Sequence, residues 1–303
     1  MELTGPAPGP TAYRTLRLEH DRGRLTVTLT RPGERNSITR DLITELGAAL
    51  DLAERTEDCR VVVLRAEGDT FCSGMDLSGV AAADAARGSA GSDGSVGSVG
   101  SVGSVGGAGG AGGVGRSADV QDTRKGGEDY YALLERLTTL GRIVVAQVDG
   151  QVVGGGVGLA AACDFVHATE RSRFSLPEAL WGLLPCSVLP FLIRRVGFQR
   201  AYAMALGTLP VAAREAAVHG LVDELAEDAG PALRRLLFRA SKLDPATVAD
   251  LKRYTRRLWI LDEHTGRTAV DEFVRLMSSD RVRDRIAGFA AGPGREGPPT
   301  PPH

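Results

Sequence analysis

Two runs in the chain leave a strand no face to give to water. Val61, Val62, Val63 and Leu64, inside the stretch Arg60 to Arg65, are apolar without a break, and Ile143 to Val148 is of the same buried type. Successive side chains of a strand point to opposite sides, so a strand of this kind has to be covered on both. Helical patterns supply the cover. Ile38, Leu42, Leu46, Ala49 and Ala53 fall near one face of a helix predicted from Ile38 to Arg55, and Tyr130, Leu133, Leu134 and Leu137 make a second stripe that ends near Gly141. Strands separated by helices point to an α/β fold with crossover connections.

Around this frame Tyr13 to Glu19 and Arg24 to Thr30 alternate as two strands joined at Asp21-Arg22-Gly23, and Asp164 to Ala168 and Arg173 to Ser175 are short strand candidates. From Leu189 onward the pattern is mainly helical. Leu243 to Leu258, Thr268 to Met277 and Val282 to Phe289 read as amphipathic helices with basic outer faces. The order is interrupted once. Gly94 to Val105 repeats Gly-Ser-Val and runs into GGAGGAGGVG; a glycine period without proline does not make a collagen helix. A flexible insertion is expected at about 81–127, because the entropy of closing a loop grows only slowly with its length. The expected organisation is a core at 12–220 carrying that insertion, a helical C-terminal region at 221–291, and a flexible Pro/Gly-rich tail at 292–303.

Charge and cysteine usage exclude several classes. With 36 basic and 38 acidic residues the net charge is −2, which argues against broad nucleic-acid binding. Cys59, Cys72, Cys163 and Cys186 form no CxxC pair, so neither a disulfide scaffold nor a structural zinc site is expected. The first residues lack a basic stretch followed by an apolar one, and no window approaches the ~18 continuous apolar residues of a membrane span. A soluble, cytoplasmic protein is expected, with no membrane and no nucleic-acid partner.

Two loops and one carboxylate stand out chemically. Phe71-Cys72-Ser73-Gly74-Met75-Asp76 follows a buried strand, and Gly154-Gly155-Gly156 precedes a small-residue helix. Glycine-rich turns expose backbone N–H groups, and at a helix start these lie at the positive end of the dipole. Two such turns brought together make an oxyanion hole; each alone reads equally as a tight turn. GGGVG lacks the GxGxxG spacing of a dinucleotide site, and there is no GxxxxGK[ST], HExxH or GxSxG. Cys72 has no histidine near it in sequence and reads as a buried or loop cysteine. Glu178, in FSLPEALWGLL, is either a helix-start residue or a carboxylate whose apolar flanks disfavour its charge, a useful property in a general acid/base.

The segments RPGERNSIT, DTFCSGMDL, VDGQVVGGGVGLAAACDF and FSLPEALWGLLP, in this order and at about this separation, resemble the crotonase (enoyl-CoA hydratase/isomerase) superfamily over Tyr13 to Gly288, the insertion excepted. The resemblance implies a spiral of repeated ββα units with a helical C-terminal region, and a trimer or hexamer. It implies oxyanion donors at the backbone N–H groups of Met75 and Gly155. Hydratases of the family carry two catalytic glutamates; one position is Glu178 here, and the other is Gly158, which puts simple two-glutamate hydration in doubt. The run SLPEALWGLLPC…VLPFLIRRVGF and Lys252-Arg253-Tyr254 are similar to enzymes that install β-branches during polyketide assembly. That similarity implies a lyase that dehydrates a 3-hydroxy-3-methylglutaryl-type thioester on acyl carrier protein. The alternatives are decarboxylation of a 3-methylglutaconyl-type carrier thioester, or a generic enoyl-CoA hydratase/isomerase.

The implied substrate rides on the phosphopantetheine of acyl carrier protein, or on CoA, and the implied reaction needs no cofactor and no metal. A distal carboxylate calls for a cation, and the candidates are Arg24, Arg31, Arg35, Lys252 and Arg253. Arg31 and Arg35 are also candidates for the carrier phosphate, and Arg194, Arg195 and Arg200 for docking an acidic carrier surface. His264, in the C-terminal region that closes over such active sites, is a candidate to polarise a hydroxyl.

Overall fold

A computed structural model describes residues 13–77, 111–227, 230–259 and 262–291. The first strands, β1 (Leu16–Asp21) and β2 (Arg24–Leu29), form a hairpin in which Asp21 faces Arg24. Helix α1 (Arg40–Arg55) follows, capped by the Thr39 hydroxyl, which accepts from the Leu42 N–H at 3.2 Å. Its buried residues include Leu42, Leu46, Ala49 and Ala53, the stripe read from the sequence.

Thereafter strands come in pairs. β3 (Val61–Ala66) is followed by β4 (Thr70–Cys72), β5 (Ile143–Val148) by β6 (Gln151–Val153), and β7 (Phe165–Ala168) by β8 (Arg173–Ser175). Helix α2 (Ala111–Thr139) lies between the first and second pairs, and α3 (Gly155–Ala162) between the second and third. The chain continues through α4 (Leu189–Val196), α5 (Phe198–Gly207), β9 (Val211–Ala212), α6 (Ala213–Val218) and β10 (Glu224–Leu225). Helices α7 (Gly230–Ala240), α8 (Pro245–Arg256), α9 (Glu263–Met277) and α10 (Asp280–Ala291) complete it. This is the crotonase fold of repeated ββα units with a helical C-terminal region.

The first members of the pairs build one sheet, β1-β2-β3-β5-β7-β10, parallel from β2 onward. The second members build another, β4-β6-β8-β9, parallel through β8. Val61 to Leu64 of β3 are at most 1% exposed, each such buried side chain stabilising the fold by roughly 1.5–3 kcal/mol. Val61 and Val63 pack toward Leu233 and Ala240 of α7, whereas Val62 and Leu64 join the main core, so both faces are covered as the apolar run required.

The expected insertion ends earlier than the sequence suggested. Residues 111–127, placed in it by composition, belong to α2, while 81–110 and the tail 292–303 fall outside the described residues. Tertiary contacts override the poor helix propensity of this stretch. Arg124 pairs with Asp271 of α9 at 2.6 Å, Arg40 of α1 pairs with Asp122, and a Cβ on Gly127 would lie 3.3 Å from Phe273. Among the described residues no helix is long and apolar enough to cross a membrane.

Candidate active site

Three neighbouring parallel strands end side by side. β4 leads into Ser73-Gly74-Met75, β6 into Gly154-Gly155, and β8 into Leu176-Pro177-Glu178. Parallel pairing brings all three exits to one edge of the sheet, so residues more than a hundred positions apart meet there.

The first turn is pinned from loop 31–38. The Ser73 N–H donates to the Arg35 carbonyl at 3.0 Å, and buried Asn36 donates to the Glu67 and Thr70 carbonyls at 3.0 and 2.8 Å. Ile38 then forms a parallel bridge with Met75, donating to the Gly74 carbonyl at 2.8 Å and accepting from the Asp76 N–H at 3.0 Å. In such a bridge the N–H of the facing residue points the other way, so the Met75 N–H is directed away from Ile38.

The second turn touches the first. Gly74 has φ +89°, and a Cβ there would meet the Val153 carbonyl oxygen at 3.0 Å and the Gly155 nitrogen at 3.1 Å. Only glycine adopts that conformation and lets the two turns approach. Gly154 has φ 54° and ψ −120°, and it hands the chain to α3 with Gly155 as the first helical residue. The Gly155 N–H is one of the unpaired donors of a helix start. Arg194 and Arg195 hold the other end of α3, donating to the carbonyls of Ala161 and Cys163 at 2.7–3.0 Å.

Glu178 closes the third side. It opens a single turn of 3-10 helix, Glu178–Trp181, that ends at Gly182. Its Oε1 lies 3.0 Å from where a Gly154 Cβ would stand, and its Oε2 is buried without a hydrogen-bond partner among the described residues. Buried Leu176 and Leu183 flank it. Burial pushes the Glu178 carboxyl up to about 7, so protonated and ionised forms are both populated near neutral pH. Two backbone donors at adjoining turns and one carboxyl titrating near neutrality can polarise a carbonyl and move a proton beside it.

Other sequence candidates lie elsewhere. Lys252 is largely covered at the start of the third strand pair, in an ion pair with Asp164 at 2.6 Å, and donates to the Arg142 carbonyl at 2.7 Å. It ties α8 to the segments that open β5 and β7, and is no free cation for substrate or carrier. Arg194 and Arg195 act as a helix cap, which corrects their reading as docking residues. Arg253 pairs with Asp250 at 2.7 Å on the surface. Arg31 pairs with Glu34, and Arg35 donates to Gln151 Oε1 at 2.9 Å, both on the loop that pins the first turn. His264 and Arg200 are exposed. Cys72 is fully buried, and burial pushes its thiol up to about 12.

The sequence reading missed the roles of two residues. Tyr130 was assigned to a core stripe, and it is buried as that implies, yet its hydroxyl donates to the Gly155 carbonyl at 2.5 Å. Asn36 was also unmarked; it is buried at φ 51° in a loop that is otherwise partly exposed, and its sequence neighbours offered no signal of that. A groove of about 530 Å³ lined in part by Arg40, Lys125 and Arg136 reaches neither Gly155 nor Glu178, and its cations already pair with Asp122, Asp129 and Asp51. Among the described residues no group of three or more His, Cys, Asp or Glu side chains is placed to hold a metal ion.

Comparisons with known proteins match the chain along most of its length. Residues 25–290 match the enoyl-CoA hydratase/isomerase family. The chain is 30% identical over 246 residues to the bacillaene synthase dehydratase PksH of Bacillus subtilis, covering 81% of this chain and 82% of that one. It is 31% identical over 218 residues to a probable enoyl-CoA hydratase of Rhodobacter capsulatus, covering 72% and 70%. The crystal structure of a polyketide biosynthesis enoyl-CoA hydratase (pksH) from Bacillus subtilis superposes with a TM-score of 0.75 at 28% identity, covering 92% of this chain and 98% of that one.

Proposed function

The chain belongs to the enoyl-CoA hydratase/isomerase family, and from that premise we propose that it dehydrates a 3-hydroxy-3-methylglutaryl-type thioester carried on acyl carrier protein, in polyketide β-branching. Hydratase/isomerase-type chemistry on an acyl thioester comes with the family; the reaction direction and the carrier are the proposal. One observation carries it. Glu178 sets a buried carboxylate against the second donor turn, and the place three residues after Gly155, where the two-glutamate pattern puts its other carboxylate, holds Gly158. Likeness to a protein named a dehydratase supports the direction.

The thioester oxygen lies between the N–H groups of Met75 and Gly155. Glu178 takes the α-proton, and charge moves onto that oxygen as an enolate forms. Removal of one such donor costs roughly 3 kcal/mol of barrier in other enzymes, so the hole carries a large share of the catalysis. The enolate collapses and expels the β-hydroxyl, which leaves as water with the proton that Glu178 held. One carboxyl serves both steps only if the α-proton and the hydroxyl lie on its side, so the elimination is syn. A carboxyl titrating near 7 suits both halves, being basic enough to accept and acidic enough to return the proton.

Arg31 and Arg35 stand on the loop next to the Met75 turn, which supports a role at the phosphate of the carrier arm or of CoA. Phe198, Tyr202 and Leu206 lie exposed along α5, with Phe198 stacked on Tyr202 at 6.1 Å, and this uncovered apolar side supports assembly into a trimer or hexamer. The deciding experiment is mass spectrometry of carrier-bound 3-hydroxy-3-methylglutaryl substrate after incubation. Loss of one water is the expected result. Turnover of crotonyl-CoA alone, or loss of carbon dioxide from a glutaconyl thioester without dehydration, would replace the proposal.

A further inference from the structure

Tyr130 enters the site from α2, outside the three strand exits that supply the other groups. Its hydroxyl donates to the carbonyl of Gly155, the residue whose N–H is the second oxyanion donor. Gly158, one turn further along α3, is the other half of the arrangement. A Cβ there would lie 2.5 Å from the Tyr130 hydroxyl oxygen, 3.1 Å from Val188 Cγ2 and 3.3 Å from Leu134 Cδ1. No side chain fits at position 158 while the phenol is in place. A carboxylate at 158 and the Tyr130 hydroxyl therefore contest one volume, and in this chain the phenol occupies it. Burial, then Cys72 and Glu178 nearby, hold the phenol well above its ordinary range, so it remains a donor at any working pH.

We propose that Tyr130 is a positioning residue of the thioester site. It holds Gly155 in place through its carbonyl, and it fills the space beside Gly158 that a second carboxylate needs, leaving Glu178 as the sole acid/base. The inference rests on the reading of Gly155 as an oxyanion donor, and the test separates the two.

The full-length chain is saturated with crotonyl-pantetheine carrying ¹³C at the thioester carbonyl, and the carbon resonance is followed by NMR. Polarisation in the wild-type site moves it downfield. Tyr130→Phe binds the probe but loses at least half of that movement. With carrier-bound substrate, kcat falls roughly fivefold to tenfold at little-changed KM, the size of one lost hydrogen bond expressed in the transition state. Gly158→Ala pushes its methyl at the hydroxyl and reproduces the loss. In the Tyr130→Phe background, where the oxygen is gone, the same alanine adds little. If Tyr130→Phe does not fold, Gly158→Ala alone carries the carbonyl measurement.

A tyrosine that only packs would lower Tm and leave the carbon shift of each bound probe unchanged. That result, or additive effects of the two substitutions, overturns the proposal. Bound probe without a carbonyl shift in the wild type removes the oxyanion hole itself, and the proposal with it.

Discussion

Replacing Glu178 by glutamine should cost activity and restore stability, and the pH dependence of the second effect tests the site's electrostatics directly. The native carboxyl sits at about 7 because it is buried, against an ordinary value of 4.5. The folded state therefore holds a proton that the unfolded chain releases between these two values. Wherever the native state binds more protons, stability falls as pH rises, so the penalty grows from about pH 4.5 and is complete above about pH 7. At about 1.36 kcal/mol per tenfold, its full size is about 3 kcal/mol. Glutamine has no such titration. Its stability relative to wild type should rise by up to about 3 kcal/mol between acid and alkaline conditions, or several degrees in Tm for a chain of this length. Urea unfolding of both proteins near pH 4 and near pH 9 measures the difference. Turnover should meanwhile fall by about 100-fold or more, since the amide cannot accept the α-proton. Parallel stability profiles would mean that the carboxyl is solvated. Wild-type turnover by the variant would mean that another group is the base.

Three further outcomes follow from the geometry. Met75→Ala should retain most turnover, because the donor there is backbone, whereas Gly155→Pro should lose at least about 100-fold by removing an N–H and should also lower Tm, since a Cβ at 155 would lie 2.8 Å from Ile38 Cδ1, with circular dichroism and analogue binding separating the lost donor from lost folding. Lys252→Met should destabilise the protein by about 1–3 kcal/mol by removing the cation that partners half-buried Asp164, without raising KM, and adding Asp164→Asn should recover part of the loss in urea unfolding. A short Gly/Ser linker in place of residues 85–110 should leave Tm and turnover unchanged, whereas extending the replacement to residue 125 should lower Tm by removing the Arg124–Asp271 and Arg40–Asp122 pairs.

The legibility of the fold in the sequence depended on how far each signal reached. β3 and β5 were visible because a strand buried on both faces writes an unbroken apolar run. The second sheet was largely invisible: Thr70–Cys72 and Gln151–Val153 are three residues each, too short for a period, and hold together through partners far along the chain. The end of the expected insertion was misplaced because glycine-rich composition outweighed contacts with α9 that only the folded chain makes. In the site, the apolar flanks of Glu178 left it open between a helix start and an acid/base, and the family resemblance is what singled it out. Lys252 was misread as a free cation because its partner, Asp164, is remote in sequence. Tyr130 looked like core because it is core; its second role resides in a single oxygen that only the space at Gly158 reveals.

Met75, Gly155 and Glu178 each stand two or three residues past the end of a different three-residue strand, on turns that share no peptide segment. The chemistry is thus divisible in the way a lathe's is: the bed stays, and each tool post can be refitted alone. On the roles proposed above, the turn after β8 holds the proton carrier and the turns after β4 and β6 hold the donors. Position 158 lies on α3, outside the strand pairing that sets the distances. One coupling that crosses this partition is between Tyr130 and Gly158, which sit on two different helices and share one space, so neither can be refitted without the other.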